Sequence, residues 1–392
     1  MKGSDALMPQ EKDFDVAVIG AGVFGSWTAH ALAHSGAKVA LLDAYGPANS
    51  RASSGGESRI IRMGYGSDEL YTRWSMRSLP IWKELFARTR RPELFQPTGV
   101  LWMARENERH AHETASTFAR LGVAFEKLSH AELEKRFPQI SLTDIAWGIF
   151  EPESGVLMAR RAVQVVIAEA VRTGVEYFAE AAAGPTGSGR LDGIALASGR
   201  RISAEKFVFA CGPWLGKIFP NILNDRIFPS RQEVFFFGIP AGNLRFAPPA
   251  FPTWLNLGDE MYGMPDLEGR GLKIAHDRHG PRVDPDTQSR LPSAEALRFA
   301  QDYLARRFPA LKDAPVVESR VCQYENTSNG DFLVDRHPDF ENVWLVGGGS
   351  GHGFKHGPAI GEYVAGLLAG TMAAEPRFSL ASKKSQQHRA VF

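Results

Sequence analysis

The chain has 392 residues, enough for two or three domains and a sizeable core. Hydrophobic residues at 44% and charged residues at 23% describe an ordinary globular protein, and a net charge of +1 gives no case for nucleic acid or an anionic membrane surface. No run of about eighteen apolar residues suggests a transmembrane helix. The N-terminal MKGSDALMPQEKDFD lacks the apolar core of a signal peptide, and two cysteines, Cys211 and Cys322, are too few for a disulfide framework. A cytoplasmic location is expected.

The stretch Phe14 to Gly25, FDVAVIGAGVFG, organises the reading. Val16 to Ile19 form a β-branched apolar run, as a strand buried on both faces requires. Gly20, Gly22 and Gly25 then give G-x-G-x-x-G. The first glycine permits a tight turn, the second lets backbone approach a pyrophosphate, and the third lets the next helix pack close to the strand. That helix opens with Val23 and Phe24 and ends near Gly36, offering free N–H groups and a partial positive charge at its start. Lys38 to Leu42 read as a second strand, and Asp43 at its end is positioned to accept hydrogen bonds from a ribose. The pattern predicts a dinucleotide site without choosing between NAD and FAD.

Residues 44–66 follow as a Gly- and Ser-rich loop carrying Ser53 and the arginines Arg51, Arg59 and Arg62, placed beside the cofactor. A helix is expected from Glu69 to Phe86, a strand at 97–104 and a charged helix at 105–121. Ser129 and Glu132 form a capping box for a short helix stopping at Pro138. GIFEPESGVLMA (148–159) leads into a helix through Ala170, and KFVFACGPW (206–214) is a buried strand running into Gly212. Residues 223–285 alternate aromatic and polar residues between turns, as an antiparallel sheet does, and a helix is expected at 294–308. A second strand, glycine turn and helix then occupy ENVWLVGGGSGHGFKHGPAIGEYVAGLLAG, containing Gly349, Gly351, Gly353, Phe354 and Lys355. Two glycine-rich helix entries far apart in sequence suit a long cofactor touched at both ends, which favours FAD over NAD.

Several segments give the chain a family likeness: VIGAGVFG, the SRIIR of Ser58 to Arg62, FEPESGVL, GLK ending at Lys273, Cys322-Gln-Tyr324, FLVDRHP, and SGHGFK ending at Lys355. It resembles the flavoprotein amine oxidases of the monomeric sarcosine oxidase family, which includes N-methyltryptophan and L-pipecolate oxidases and, more distantly, fructosyl-amino-acid oxidases. The resemblance implies an FAD thioether at Cys322, substrate-carboxylate binding by Arg62 and Lys355, and Arg59 beside the flavin ring. It also implies that Lys273 lies over the ring and promotes reaction with oxygen, and that Tyr262 and Tyr324 line the substrate pocket. The chain departs from the pattern at Ser54 and Gly55, where members carry one or two histidines, and at Asp277, where sarcosine-specific members carry an active-site histidine.

Chemistry read from the residues agrees. An amine bearing an α-carboxylate needs fixed cations to orient it, and Arg62 and Lys355 supply two from distant segments. His352 is a weaker candidate beside four glycines, and His337 and Asp335 read as turn and core hydrogen-bonders. The expected fold is α/β: a Rossmann-like, glutathione-reductase-like FAD-binding domain with a second α+β domain on a mostly antiparallel sheet. Residues 1–88, 150–222 and 316–392 are expected in the first domain, and 89–149 and 223–315 in the substrate domain. The expected activity is oxidation of a secondary α-amino acid to an imine, with O2 reduced to H2O2. A flavin dehydrogenase passing electrons to a carrier, or a fructosyl-amino-acid oxidase, is the alternative. Expected partners are a small amino acid and O2, with no metal, nucleic acid or membrane, and a monomer is favoured.

Overall fold

Asp15 is the one exposed residue of the strand Phe14–Ile19; the apolar run around it is buried, as its sequence requires. The computed structural model describes residues 12–386 of the chain. Residues 1–11, on which most of the reading against a leader rests, and 387–392 lie outside the described residues.

Phe14–Ile19 lies at the centre of a seven-stranded sheet, parallel to Val39–Leu42 on one side and to Arg201–Phe209 on the other. Glu176–Phe178 continues the sheet beyond Val39–Leu42, in parallel. On the opposite side Val343–Gly347 adds in parallel to Arg201–Phe209, and Leu333–Arg336 pairs antiparallel at the edge. The helices Val23–His34 and Gly357–Ala369 cross closely on one face. A Cβ added at Gly361 would stand 2.5 Å from the Trp27 carbonyl oxygen, so that crossing requires glycine there.

The second sheet has eight strands, in the order Val316–Thr327, Ile227–Phe237, Leu272–His276, Met261–Met264, Thr253–Asn256, Val100–Ala104, Trp147–Glu151 and Glu126–Ser129. Every neighbouring pair is antiparallel except Thr253–Asn256 with Val100–Ala104, which run parallel and join the two excursions of the chain into one sheet. The strand Val316–Thr327, grouped by sequence with the dinucleotide unit, instead pairs along its length with Ile227–Phe237. The chain re-enters the first sheet only at Leu333. Its apolar alternation fits either sheet, and only long-range pairing decides between them. Helix Ala294–Arg307 covers this sheet, with Tyr303 stacked on Trp254 at 5.7 Å between ring centroids. The capping box at Ser129 and Glu132 is present in both directions.

A third, three-stranded sheet of Arg59–Ile61, Gly155–Leu157 and Phe95–Gln96 ties the SRIIR segment to FEPESGVL. It sets Arg59 against Cys322 of the second sheet.

Candidate active site

The first glycine turn behaves as the motif demands. Gly20 has φ +103°, and a Cβ there would lie 2.4 Å from the Ala210 carbonyl oxygen. A Cβ at Gly25 would lie 1.8 Å from the Gly20 oxygen, so Gly25 serves helix–strand packing. Gly22, Val23 and Phe24 face a long cleft enclosing about 1310 Å³, its mouth included. Val23 donates its N–H to Ser54 Oγ at 3.0 Å. Asp43 accepts the N–H of Ala21 at 2.8 Å and of Tyr45 at 2.9 Å, and burial pushes its carboxyl up.

The same cleft runs past Ser53, Arg59 and Gly212 to Tyr324, and then to the second glycine turn at Gly349, Gly351, Gly353 and Phe354. Both glycine turns therefore contribute to one elongated cavity, although more than 300 residues separate them. Two polar atoms of cleft-lining residues, Ser53 Oγ and Glu325 Oε1, are buried without a hydrogen-bond partner among the described residues. Such orphans call for a polar ligand. A cavity lined by both glycine turns and Asp43, with two buried polar atoms unpartnered beside it, has the donor and acceptor set that a dinucleotide needs, so the residues fit FAD. Burial raises Glu325 to about 8, with backbone N–H groups of Gly348 and Gly349 opposing the rise.

Beside the cleft lies a cluster of cations. Arg59 donates to the Ser53 oxygen at 2.7 Å, the Ser58 oxygen at 2.9 Å and Cys322 Sγ at 3.4 Å. Lys273 comes from the strand Leu272–His276 and is 3% exposed. Its Nζ donates to the Ser58 carbonyl oxygen at 3.0 Å and Ser58 Oγ at 3.2 Å. Burial, and then the charge of Arg59, hold Lys273 well below the ordinary lysine range.

Arg62 is held between two rings, its guanidinium carbon 4.7 Å from the centroids of both Tyr65 and Trp102, and it donates to the Gly64 oxygen. The buried Glu151 organises this turn. It accepts from Met63 N at 2.8 Å, Gly64 N at 3.3 Å and Trp102 Nε1 at 2.7 Å, and Ser154 donates to it as well. Lys355 Nζ donates to Tyr65 Oη at 2.7 Å and to the His352 oxygen at 3.0 Å, leaving a third N–H of the ammonium for a ligand. Burial and the charge of Arg62 lower its proton affinity well below the ordinary lysine value.

The structure thus brings Arg59, Arg62, Lys273 and Lys355 to one region from three distant segments. Among the sequence-predicted cofactor residues, Gly25, Cys322 and Lys355 do not line the cleft. Gly25 is closed off by packing, Cys322 is 8% exposed behind Arg59, and Lys355 belongs to the cation pocket. Tyr262 and Tyr324 share the pocket: burial pushes Tyr262 up to about 12 and Tyr324 well above the usual tyrosine value. His352 contacts Tyr65 Oη at 3.2 Å and the Gly330 oxygen at 3.0 Å. His337 and Asp335 serve turn and core, accepting from Asp339 N and Leu380 N.

Sequence reasoning missed Tyr65, Glu151 and His356. Two of them carried only the signal of nearness, since Tyr65 lies three residues beyond Arg62 and His356 follows Lys355. No group of three or more His, Cys, Asp or Glu side chains able to hold a metal occurs among the described residues, and none of their helices is long and apolar enough to cross a membrane.

A family model described as FAD dependent oxidoreductase matches residues 15–367. The chain is 32% identical over 375 residues to a monomeric sarcosine oxidase of Bacillus sp. (strain B-0618), covering 90% of this chain and 92% of that protein. It is 29% identical over 363 residues to an N-methyl-L-tryptophan oxidase of Salmonella arizonae, covering 90% of this chain and 94% of that protein. The fold also matches a crystal structure of L-proline dehydrogenase from P. horikoshii, with a TM-score of 0.81 at 20% identity over 95% of this chain and 98% of that one. With a model match spanning both glycine turns and the cations between them, this chain belongs to the FAD-dependent oxidoreductase family.

Proposed function

We propose that this enzyme oxidises a secondary α-amino acid, N-methyl, N-alkyl or cyclic, to an imine that water then hydrolyses, with O2 as the final acceptor and H2O2 as product. FAD supplies the two-electron acceptor when bound. The observation that carries this reading is the pairing of Arg62 and Lys355, buried cations from segments almost 300 residues apart, beside a pocket whose Tyr324 also lines the cofactor cleft. The two cations grip the substrate carboxylate and so fix the α-carbon against the cleft. A water-poor pocket favours the unprotonated amine, whose lone pair drives hydride loss.

The family likeness suggests the residue roles, and their burial at the cleft supports them: Arg59 would lie beside the flavin ring, Tyr262 and Tyr324 would bound the substrate, and Lys273 would serve the reaction with oxygen. Cys322 carries the cofactor covalently; its sulfur sits 3.4 Å from the guanidinium of the cleft-lining Arg59. The discontinuous segments around the first sheet form the cofactor unit and the eight-stranded sheet forms the substrate unit. We place the enzyme in the cytoplasm as a monomer.

Peroxide release from a panel of N-alkyl and cyclic amino acids tests the reading. Turnover with peroxide supports it. Flavin bleaching that reverses only with a quinone or dye would make the protein a dehydrogenase, and no bleaching with any amino acid would remove the substrate class.

A further inference from the structure

Asp277 follows the strand Leu272–His276 and is 8% exposed. Its N–H donates to the Glu260 oxygen at 2.7 Å, which fixes the backbone. Its Oδ1 accepts the Tyr324 hydroxyl at 3.1 Å. Among the described residues no other donor reaches the carboxylate, and no cation pairs with it. Tyr262 also faces it, its phenol pushed up first by burial and then by the Asp277 charge. Arg62 and Lys355 are near enough to oppose the effect of burial, Glu260 reinforces it, and Tyr324 donates to it. Glu260 is itself paired with Arg278 at 3.1 Å. Both nearby cations are hydrogen-bonded elsewhere, Lys355 to Tyr65 and His352 and Arg62 to Gly64. Burial lifts the Asp277 carboxyl to about 6, so it is mostly ionised at neutral pH.

A buried carboxylate with one neutral donor is costly unless a ligand completes it. Tyr324 lines the cofactor cleft, so Asp277 stands where cleft and cation pocket meet. The reacting amine does not suit it. That nitrogen must be neutral to release hydride, and a carboxylate beside it would stabilise the ammonium form. The substrate's own carboxylate does not suit it either, because like charges repel and Arg62 and Lys355 already claim that group. The remaining complement is a positive charge elsewhere on the substrate.

We propose that Asp277 is a specificity-determining residue that pairs with a second, non-reacting cation on the substrate, an ammonium or guanidinium borne by the side chain or the N-substituent. The inference rests on the reading of the site as an α-amino acid oxidase. Two protein cations and one protein anion then face one substrate carboxylate and one substrate cation, with the amine neutral between them.

The holoenzyme should be given Nα-methyl-L-lysine and Nα-methyl-L-ornithine, the neutral Nα-methyl-L-norleucine and Nα-methyl-L-norvaline, and N-fructosylglycine. Anaerobic flavin bleaching and kcat/KM are the readouts. The expected result is a preference for a cationic member over its neutral counterpart by about tenfold or more, the scale of one desolvated charge pair. Asp277→Asn keeps the acceptor for Tyr324 and removes the charge, and the cationic-to-neutral ratio should collapse toward one. A wild type that favours the neutral or the fructosyl member overturns the inference while leaving the amino acid oxidase reading intact. An unchanged ratio in Asp277→Asn does the same. A flavin bleached by no member overturns the inference, and the amino acid oxidase reading falls with it only if sarcosine and L-pipecolate, run alongside, also leave the flavin oxidised. Should the variant fail to retain its flavin spectrum, the wild-type ranking alone decides.

Discussion

The hydroxyl of Tyr65 accepts a 2.7 Å hydrogen bond from Lys355 Nζ across 290 positions of sequence. The same oxygen lies 2.7 Å from Nε2 of the fully buried His356. Lys355 is therefore fixed by a partner that is itself fixed. Tyr65→Phe should free the lysine at a cost of about 1 kcal/mol, weakening a simple carboxylate inhibitor roughly fivefold. Lys355→Ala should cost about 2 kcal/mol, roughly thirtyfold. Titrating the flavin absorbance with the inhibitor gives both constants. If Tyr65→Phe binds as tightly as wild type, Lys355 holds its place without the phenol.

Acid precipitation should leave yellow colour in the wild-type pellet and release it to the supernatant from Cys322→Ser. Arg59 also donates to the Ser53 and Ser58 oxygens, and a serine keeps an acceptor where the sulfur was, so the substitution leaves the cations in place. Wild-type flavin found wholly in the supernatant would show the cofactor to be non-covalent.

Lys273 keeps one ammonium N–H beyond the two directed at Ser58. Reduction of oxygen develops negative charge, and a preorganised cation in a buried site stabilises it without rearrangement. Lys273→Met should slow reoxidation by about a hundredfold, or ~3 kcal/mol. Anaerobic reduction by substrate should change far less, since the proposed grip on the amino acid is that of Arg62 and Lys355. Stopped-flow traces of the two half-reactions separate these roles, and equal slowing of both would assign Lys273 to structure or substrate.

Glu325 is a carboxyl whose folded-state proton affinity is raised, to about 8 from an ordinary 4.5. The folded state then binds more protons than the unfolded state between those values. Its contribution to stability is present below about 4.5 and is lost as pH rises through about 8. Thermal melts of Glu325→Gln should decline less than those of wild type across that window. Parallel curves would mean that Glu325 ionises normally.

Much of this molecule could be read from local pattern. The strand Phe14–Ile19, the helix Val23–His34 and Asp43 form a contiguous unit in which each glycine has a steric reason, and that reason is visible in the sequence. Arg59, Arg62, Lys273, Tyr324 and Lys355 became legible through motif likeness, because a lone lysine in a glycine-rich turn or a strand has no local mark of function. Sheet membership of Val316–Thr327 was illegible, since half its residues alternate as in either sheet and its partner Ile227–Phe237 lies far upstream, Ile227 opposite Thr327 and Phe237 opposite Val316. Glu151 was hidden for a different reason. Its work is to accept hydrogen bonds from backbone and indole donors some 50 to 90 residues upstream, and nothing in FEPESGVL shows which donors those are.

The pairing order of the strands also governs when the protein can fold. Phe14–Ile19 waits for Arg201–Phe209, which in turn waits for Val343–Gly347, and Ile227–Phe237 waits for Val316–Thr327. During synthesis neither sheet can close until nearly the whole chain has left the ribosome. Such distant pairings carry a high loop-closure cost and make folding slow. Nascent chains stalled before Val343 hold the first glycine turn without the second, so cofactor capture is an event of the completed polypeptide. A cut anywhere between Trp147–Glu151 and Ile227–Phe237 yields no self-sufficient half, because it parts strands of both sheets from their partners.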